Sequence, residues 1–145
     1  MARVWVLYAS SEQKSEVNQL LTGSLRLTWK PQPYQPLGHQ TSFELDVDGA
    51  EIASRLARIG CIFEVEGESE RFLHHPGLGI KRQQLDEAGE VVIRFGQLQK
   101  ELGESNGNLQ ELQRRLRLLE GQAWLDLLEP YRLAMVRYSP MPKAV

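Results

Sequence analysis

The chain has 145 residues, 41% of them apolar and 25% charged, with a net charge of −2 and a single cysteine. That length suits one domain able to bury a core without metal or disulfide staples. The near-neutral balance argues against nucleic-acid binding, no apolar run reaches membrane-spanning length, and a lone thiol excludes an internal disulfide and suits a reducing cytoplasm.

Met1 to Trp5 carries one base and runs into a short apolar stretch without a small-x-small cleavage site, so it reads as structure and not as a signal peptide. Val4, Val6 and Tyr8 are apolar on one alternating set, Trp5 and Leu7 on the other. A strand apolar on both sets is a central strand covered on both faces. Ser10 or Ser11 caps a helix with Glu12 in its first turn, a stripe of Val17, Leu20 and Leu21, and a stop at Gly23. Leu25, Leu27 and Trp29 alternate with Arg26, Thr28 and Lys30, which predicts a half-buried strand. Pro31, Pro33, Pro36 and Gly38 make the least regular segment, expected to be mobile.

Phe43, Leu45 and Val47 alternate with Glu44, Asp46 and Asp48, a third strand with one wet face. Asp48-Gly49 leads into a helix with Ile52, Leu56 and Ile59 at i, i+4, i+7 and a stop at Gly60. Cys61, Phe63 and Val65 then alternate with Glu64 and Glu66, a fourth strand in which Cys61 is a buried small hydrophobe. The order strand, helix, strand, strand, helix, strand is the split-βαβ, ferredoxin-like βαββαβ unit. Right-handed crossovers would set the first strand between the third and the fourth.

Beyond Gly67, Phe72 to His74 and Ile80 to Leu85 read as strands around Pro76-Gly77, and Asp86 to Gly89 as a hairpin turn returning through Val91, Ile93 and Phe95. The period then turns helical: Gln97 to Leu102, a break at 103–107, a helix capped by Asn106 or Asn108, and, past Gly121, a third helix lined by Trp124, Leu127, Leu128 and Tyr131. The stripe Leu98, Leu102, Leu109, Leu112, Leu116, Leu119 has heptad spacing, but its break favours packing on the chain's own sheet over pairing with a second copy. Ser139 to Lys143 should fray. The reading is a single α+β domain, 1–145: a ferredoxin-like core over 1–66, a β extension over 67–95 formed by a hairpin or meander, and two to three C-terminal helices over 96–138 packed on the sheet.

Charge is unevenly placed. Residues 41–70 hold eight acids and two bases, while 71–82 hold three permanent cations, two histidines and no acid. A glycine-rich turn can aim backbone N–H groups at an anion, and flanking Arg and Lys add charge-assisted bonds. The candidate binding set is therefore Arg71, His74, His75, Gly77, Gly79, Lys81 and Arg82. The bland alternative is a tight turn with solvated basic flanks. The segment matches neither the P-loop nor the dinucleotide fingerprint. His74 and His75 are adjacent, so on a strand they point to opposite faces and cannot easily share a metal ion; His39 lies in the proline loop, and no metal spacing exists. The acids of 44–48 and 64–70 read as solvated sheet faces, with a basic partner as their functional alternative. No nucleophile elbow occurs, and aromatics are not interleaved with bases. No catalytic residue, cofactor or metal is assigned.

Several short motifs stand in a telling order: 27–33 (LTWKPQP), Phe63-Glu64-Val65, Arg71-Phe72 with 76–80 (PGLGI), 86–91 (DEAGEV), and Ala123-Trp124 with 128–132 (LEPYR). Over most of its length the chain resembles an uncharacterised actinobacterial domain-of-unknown-function family of small cytosolic proteins. The sequence departs from that pattern in its lower alanine content and its His74-His75 pair. The resemblance carries no catalytic residue with it. It associates such genes with fatty-acid synthesis neighbours, which implies an acyl carrier protein, itself acidic, as a partner for 71–82. The expected role is a small cytosolic interaction or regulatory protein, monomer or homodimer, recognising an anionic partner or ligand through Arg71, His74, Lys81 and Arg82. The rival is an enzyme or small-ligand binder using His74 or His75 in a pocket under the C-terminal helices.

Overall fold

The first strand, β1 (Ala2–Ala9), carries apolar side chains on both faces, and both are covered. The structure, a computed structural model, describes residues 1–21 and 26–135. After β1 come α1 (Ser11–Leu20), β2 (Lys30–Pro31), β3 (His39–Leu45), α2 (Gly49–Ile59), β4 (Ile62–Glu66), β5 (Glu70–His75), β6 (Gly79–Leu85), β7 (Val91–Val92), α3 (Phe95–Glu104), α4 (Leu109–Glu120) and α5 (Gln122–Met135). The fold is α+β: among the described residues there are five helices and one seven-stranded antiparallel sheet in the order β2-β3-β1-β4-β5-β6-β7. β1 thus lies between β3 and β4, and the strands past residue 67 continue the same sheet.

Register decides what each face holds. Val4 pairs with Phe43 and Val65, so these share a face with Val6, Phe63 and Phe72, where Val17 of α1 and Ile52, Ala53 and Leu56 of α2 complete a buried cluster. The opposite face sets Leu7, Ile62 and Leu73 against Leu128 and Tyr131 of α5. A register shift after Val6 brings both Leu7 and Tyr8 to this second cluster. Each fully buried Val, Leu or Phe contributes about 1.5–3 kcal/mol, so the three layers hold together through these two clusters.

The local signals explain the elements. Ser10 caps α1: its Oγ accepts from Gln13 N–H at 3.1 Å while Gln13 Oε1 accepts from Ser10 N–H at 3.0 Å. Asp48 caps α2 by accepting from Ala50 N–H, and Gly60 closes it in the left-handed conformation. Asn108 caps α4 through Glu111 N–H, and Gly121 ends it at φ 94°.

Several expectations are corrected. Within the described part of the strand expected over 25–30 only Lys30 joins the sheet, with Pro31 beyond it, while Thr28 O accepts from the Thr41 hydroxyl at 3.0 Å. Leu27 and Trp29 still face the core, while Gly23 and Leu25 lie outside the described residues. The proline loop is tied down. Gln32 N–H donates to Gly38 O at 2.9 Å, and the Gln32 side chain donates to Leu7 O at 2.6 Å and accepts from Tyr34 N–H at 2.9 Å. Gly38 lies against the Tyr8 ring, where a Cβ would come within 2.0 Å of a ring carbon. The returning strand stops at Val92, and Phe95 opens α3 instead: its helical spacing with Leu98 and Leu102 prevails over its alternation with Val91 and Ile93.

Among the C-terminal helices α5 alone caps the sheet; α3 and α4 form a helical hairpin in which no residue within either helix is buried. The leucine stripe therefore does not pack on the sheet, since α5 already fills that face. Residues 136–138 and the tail expected to fray lie outside the described residues. The acids expected on wet strand faces divide: Asp46, Asp48 and Glu68 are exposed, and Glu66 and Glu70 are half-buried. Glu44 and Glu64 are buried on the α5 side, with Arg3 Nε 3.6 Å from Glu44 and Arg132 Nε 2.9 Å from Glu64. Guanidinium partners offset the cost of burying these carboxylates.

Candidate functional site

The basic segment is a β-hairpin, and its pleat splits the candidate residues between the two faces of the sheet. Arg71 pairs with Gln83, Leu73 with Lys81 and His75 with Gly79, all toward the α5 side; Phe72 pairs with Arg82 and His74 with Ile80, all toward the α1–α2 side.

On the α5 side the cations are largely engaged. Arg71 Nε–H donates to Gln83 Oε1 at 2.7 Å, and a second guanidinium nitrogen lies 4.0 Å from Glu64. Glu64 has its carboxyl pushed above the usual range by burial, opposed by the positive charges of Arg132 and Arg71. Gln83 in turn donates to the carbonyl of Glu120 at the end of α4. Lys81 Nζ lies over the Trp124 ring, 5.8 Å from its centroid, and Trp124 Nε1–H donates to Gly79 O at 2.9 Å. Trp124, Gln83 and Glu120 thus lock the hairpin onto the start of α5.

The turn satisfies its own N–H groups. Gly77 N–H donates to His75 Nδ1 at 3.0 Å and Leu78 N–H to His75 O at 3.0 Å. The anion-binding concavity expected of Gly77 and Gly79 is therefore filled from within, by His75. What the hairpin tip presents outward is the exposed Pro76-Gly77-Leu78 segment, with His75 and Lys81 half-exposed beside it.

On the other side His74 belongs to the core. It stacks on Phe63 with ring centroids 5.1 Å apart and an interplanar angle of 12°, and Nδ1–H donates to Cys61 O at 2.7 Å. Burial lowers its pKa below the ordinary 6.5, partly opposed by that hydrogen bond. Its expected place among the binding residues is corrected: the pleat turns it inward, away from Lys81. Arg82 is 59% exposed in its side chain and bonds Glu70 on the neighbouring strand. Cys61 is buried, with its thiol pushed up to about 12 by desolvation, so it is an inert core thiol at neutral pH.

The sequence reading missed three contributors. Gln83 and Arg132 carry no motif. Tyr34 lies in the proline loop, yet its ring meets Tyr131 edge-on at 4.9 Å, with Tyr8 6.2 Å from Tyr131 on the other side. An open groove between α1 and α2 is lined by Glu16, Gln19, Leu20, Arg55, Arg58 and Ile59, with no histidine among them. Among the described residues no three His, Cys, Asp or Glu side chains cluster to hold a metal ion, and no helix is long and apolar enough to cross a membrane.

The chain is an α+β protein whose antiparallel sheet carries a basic hairpin held against the start of α5. Residues 14–139 match the model of one family, described as a protein of unknown function (DUF3145), and the chain belongs to that family. Comparison with curated proteins and with solved structures gave no match.

Proposed function

We propose that the chain is a small cytosolic interaction or regulatory protein that recognises an anionic partner with the β5–β6 hairpin, through Lys81 and the edge of His75 on one face of the sheet and Arg82 on the other. The observation that carries this reading is the clamp. The hairpin is fixed by Trp124 and Gln83, so its cations are displayed from a rigid base and lose little entropy on binding. The Arg82–Glu70 pair is a surface ion pair worth about 0–1 kcal/mol, which a partner's carboxylates can displace. An acidic protein, an acyl carrier protein among them, fits this chemistry. We also read residues 1–66 as ferredoxin-like, supported by the element order β1-α1-β2-β3-α2-β4 and the neighbour order β2-β3-β1-β4. The rival enzyme or ligand-binding reading has less support, because His74 is stacked and bonded inside the core and His75 is engaged by the turn.

The test is a pull-down from native lysate at low and high salt with the wild type and with Lys81→Glu/Arg82→Glu. Salt-sensitive partners captured by the wild type should be lost by the variant, whose thermal midpoint should fall by no more than a few degrees. Retention of every partner by a folded variant would remove this hairpin from the proposal.

A further inference from the structure

The joint between α3 and α4 holds an asparagine whose side chain and following backbone nitrogen are both unengaged. Asn106 adopts φ 51°, and among the described residues no other non-glycine has a positive φ. Asparagine tolerates that left-handed region better than most residues. The turn is pinned around it: Ser105 is buried and its hydroxyl donates to Leu102 O at 2.8 Å, Asn106 N–H donates to Gly103 O at 3.3 Å, and Asn108 N–H donates to Ser105 O at 2.9 Å. Between these bonds Gly107 N–H has no acceptor among the described residues, and the Asn106 side-chain amide has no partner. Both residues are exposed, and nothing lies within 4 Å of where a Cβ on Gly107 would stand. A nitrogen that is unbonded and unhindered is free to act as a nucleophile. Rotation about the Asn106 Cα–C bond brings it to Cγ, and a neighbouring glycine resists that rotation least.

The other asparagines lack these conditions. Asn18 is followed by Gln19 inside α1, and its Oδ1 accepts from Trp29 Nε1–H at 2.9 Å. Asn108 is followed by Leu109 of α4, and its Oδ1 accepts from Glu111 N–H at 3.2 Å. Each would have to give up a bond and move helical backbone before its amide reacted. Only Asn106 precedes a glycine.

We infer that Asn106-Gly107 is a site of spontaneous covalent modification, at which the chain deamidates itself. The Gly107 nitrogen attacks Asn106 Cγ; that C–N bond forms, the Cγ–Nδ2 bond breaks, and Nδ2 leaves as ammonia with the proton lost by Gly107. Water then adds to one of the two carbonyls of the cyclic imide and cleaves its bond to nitrogen. Attack at Cγ gives an aspartyl residue, and attack at the main-chain carbonyl gives an isoaspartyl residue whose chain runs through Cβ. No oxidant or reductant takes part. Either product changes the net charge from −2 to −3. The isoaspartyl form also adds a carbon to the main chain, which parts Asn108 N–H from Ser105 O and moves Asn108 off its cap on α4. The modification lies outside the β5–β6 hairpin proposed to bind anions, so each reading can fail without the other.

The test incubates the full chain in mildly alkaline and mildly acidic buffer and sequences its tryptic peptide 101–114 by mass spectrometry. Position 106 should gain the mass of an amide-to-acid exchange as two chromatographically distinct isomers. Conversion should be several-fold faster in the alkaline buffer, because the attacking nitrogen must lose its proton. Asn18 and Asn108 should remain amides. Asn106→Gly keeps the positive φ without an amide, so it should fold as the wild type and leave this peptide unchanged. Leu112 N–H donates to Asn108 O at 3.0 Å, and it should exchange with solvent faster in the isoaspartyl chain than in fresh protein. A folded chain that keeps Asn106 intact under conditions that convert the free peptide 101–114 overturns the proposal. So does a product without the isoaspartyl isomer, which would mean direct hydrolysis, or equal conversion at Asn108. Unaltered exchange at Leu112 in the isoaspartyl chain removes the loosening of α4.

Discussion

His74 and His75 are neighbours in the chain and opposites in the fold. One β-strand step turns His74 into the core and His75 to the rim of the hairpin. The difference has a measurable sign. Burial depresses the His74 pKa below 6.5, so the unfolded chain takes up a proton first as the pH drops below that value. The contribution is fully present above pH 6.5 and is lost as pH falls towards the depressed value in the folded state. The urea midpoint of the wild type should therefore be lower at pH 5.5 than at pH 7.5. His74→Phe keeps the ring stack on Phe63 but leaves Cys61 O without its donor. It should cost about 1–3 kcal/mol at pH 7.5 and show a smaller drop between the two pH values. An unchanged pH dependence in that variant would refute the assignment. Glu64 works in the reverse direction: its raised pKa means that protonation favours the folded state, so it blunts the acid sensitivity that His74 creates.

At the scale of elements, the helices followed from caps and periodicity, and the strands followed where the alternation was uninterrupted. β1, α2, β4 and α4 stand close to where their residues predict them. β7 stops at Val92 where a competing helical period leads into α3 from Phe95, and β2 keeps a ladder of only Lys30 and Pro31. Gly121 shows how much one joint between elements can require. It ends α4 with φ 94°, and a Cβ there would lie 2.6 Å from Gln83 Nε2. Gly121→Ala would meet left-handed strain of about 1–2 kcal/mol and would also push Gln83 from the Glu120 carbonyl. The expected loss is about 2–3 kcal/mol of unfolding free energy in urea, adding the displaced hydrogen bond. Gly89→Ala, at φ 81° with nothing near its Cβ, should lose the strain alone.

Across the whole molecule, stability is concentrated where both sheet faces are covered. Amides of β1 and β4 lie between two helical layers, whereas β2 and β7 are two-residue edges. Hydrogen exchange should be slowest in β1 and β4 and fast at Lys30 and Val92. Edge strands as slow as β1 would contradict the layer arrangement. The short edges also limit unwanted sheet-to-sheet pairing.

The sequence alone determined what depends on neighbours a few residues apart. The caps narrowed to Ser10 or Ser11 and to Asn106 or Asn108, the helix entered after Asp48-Gly49, the doubly apolar β1 and the Pro76-Gly77 turn all rest on short-range backbone chemistry and side-chain periodicity. The basic composition of 71–82 was equally legible. Only the tertiary structure decided the fate of those cations and acids. Whether Arg71, His74, Glu44 or Glu64 meets water depends on cross-strand register and on where α5 lies, and both are set by contacts between residues far apart in the chain. A local pattern carries no record of such contacts, which is why an open cationic patch in the sequence became a partly neutralised, clamped hairpin in the fold.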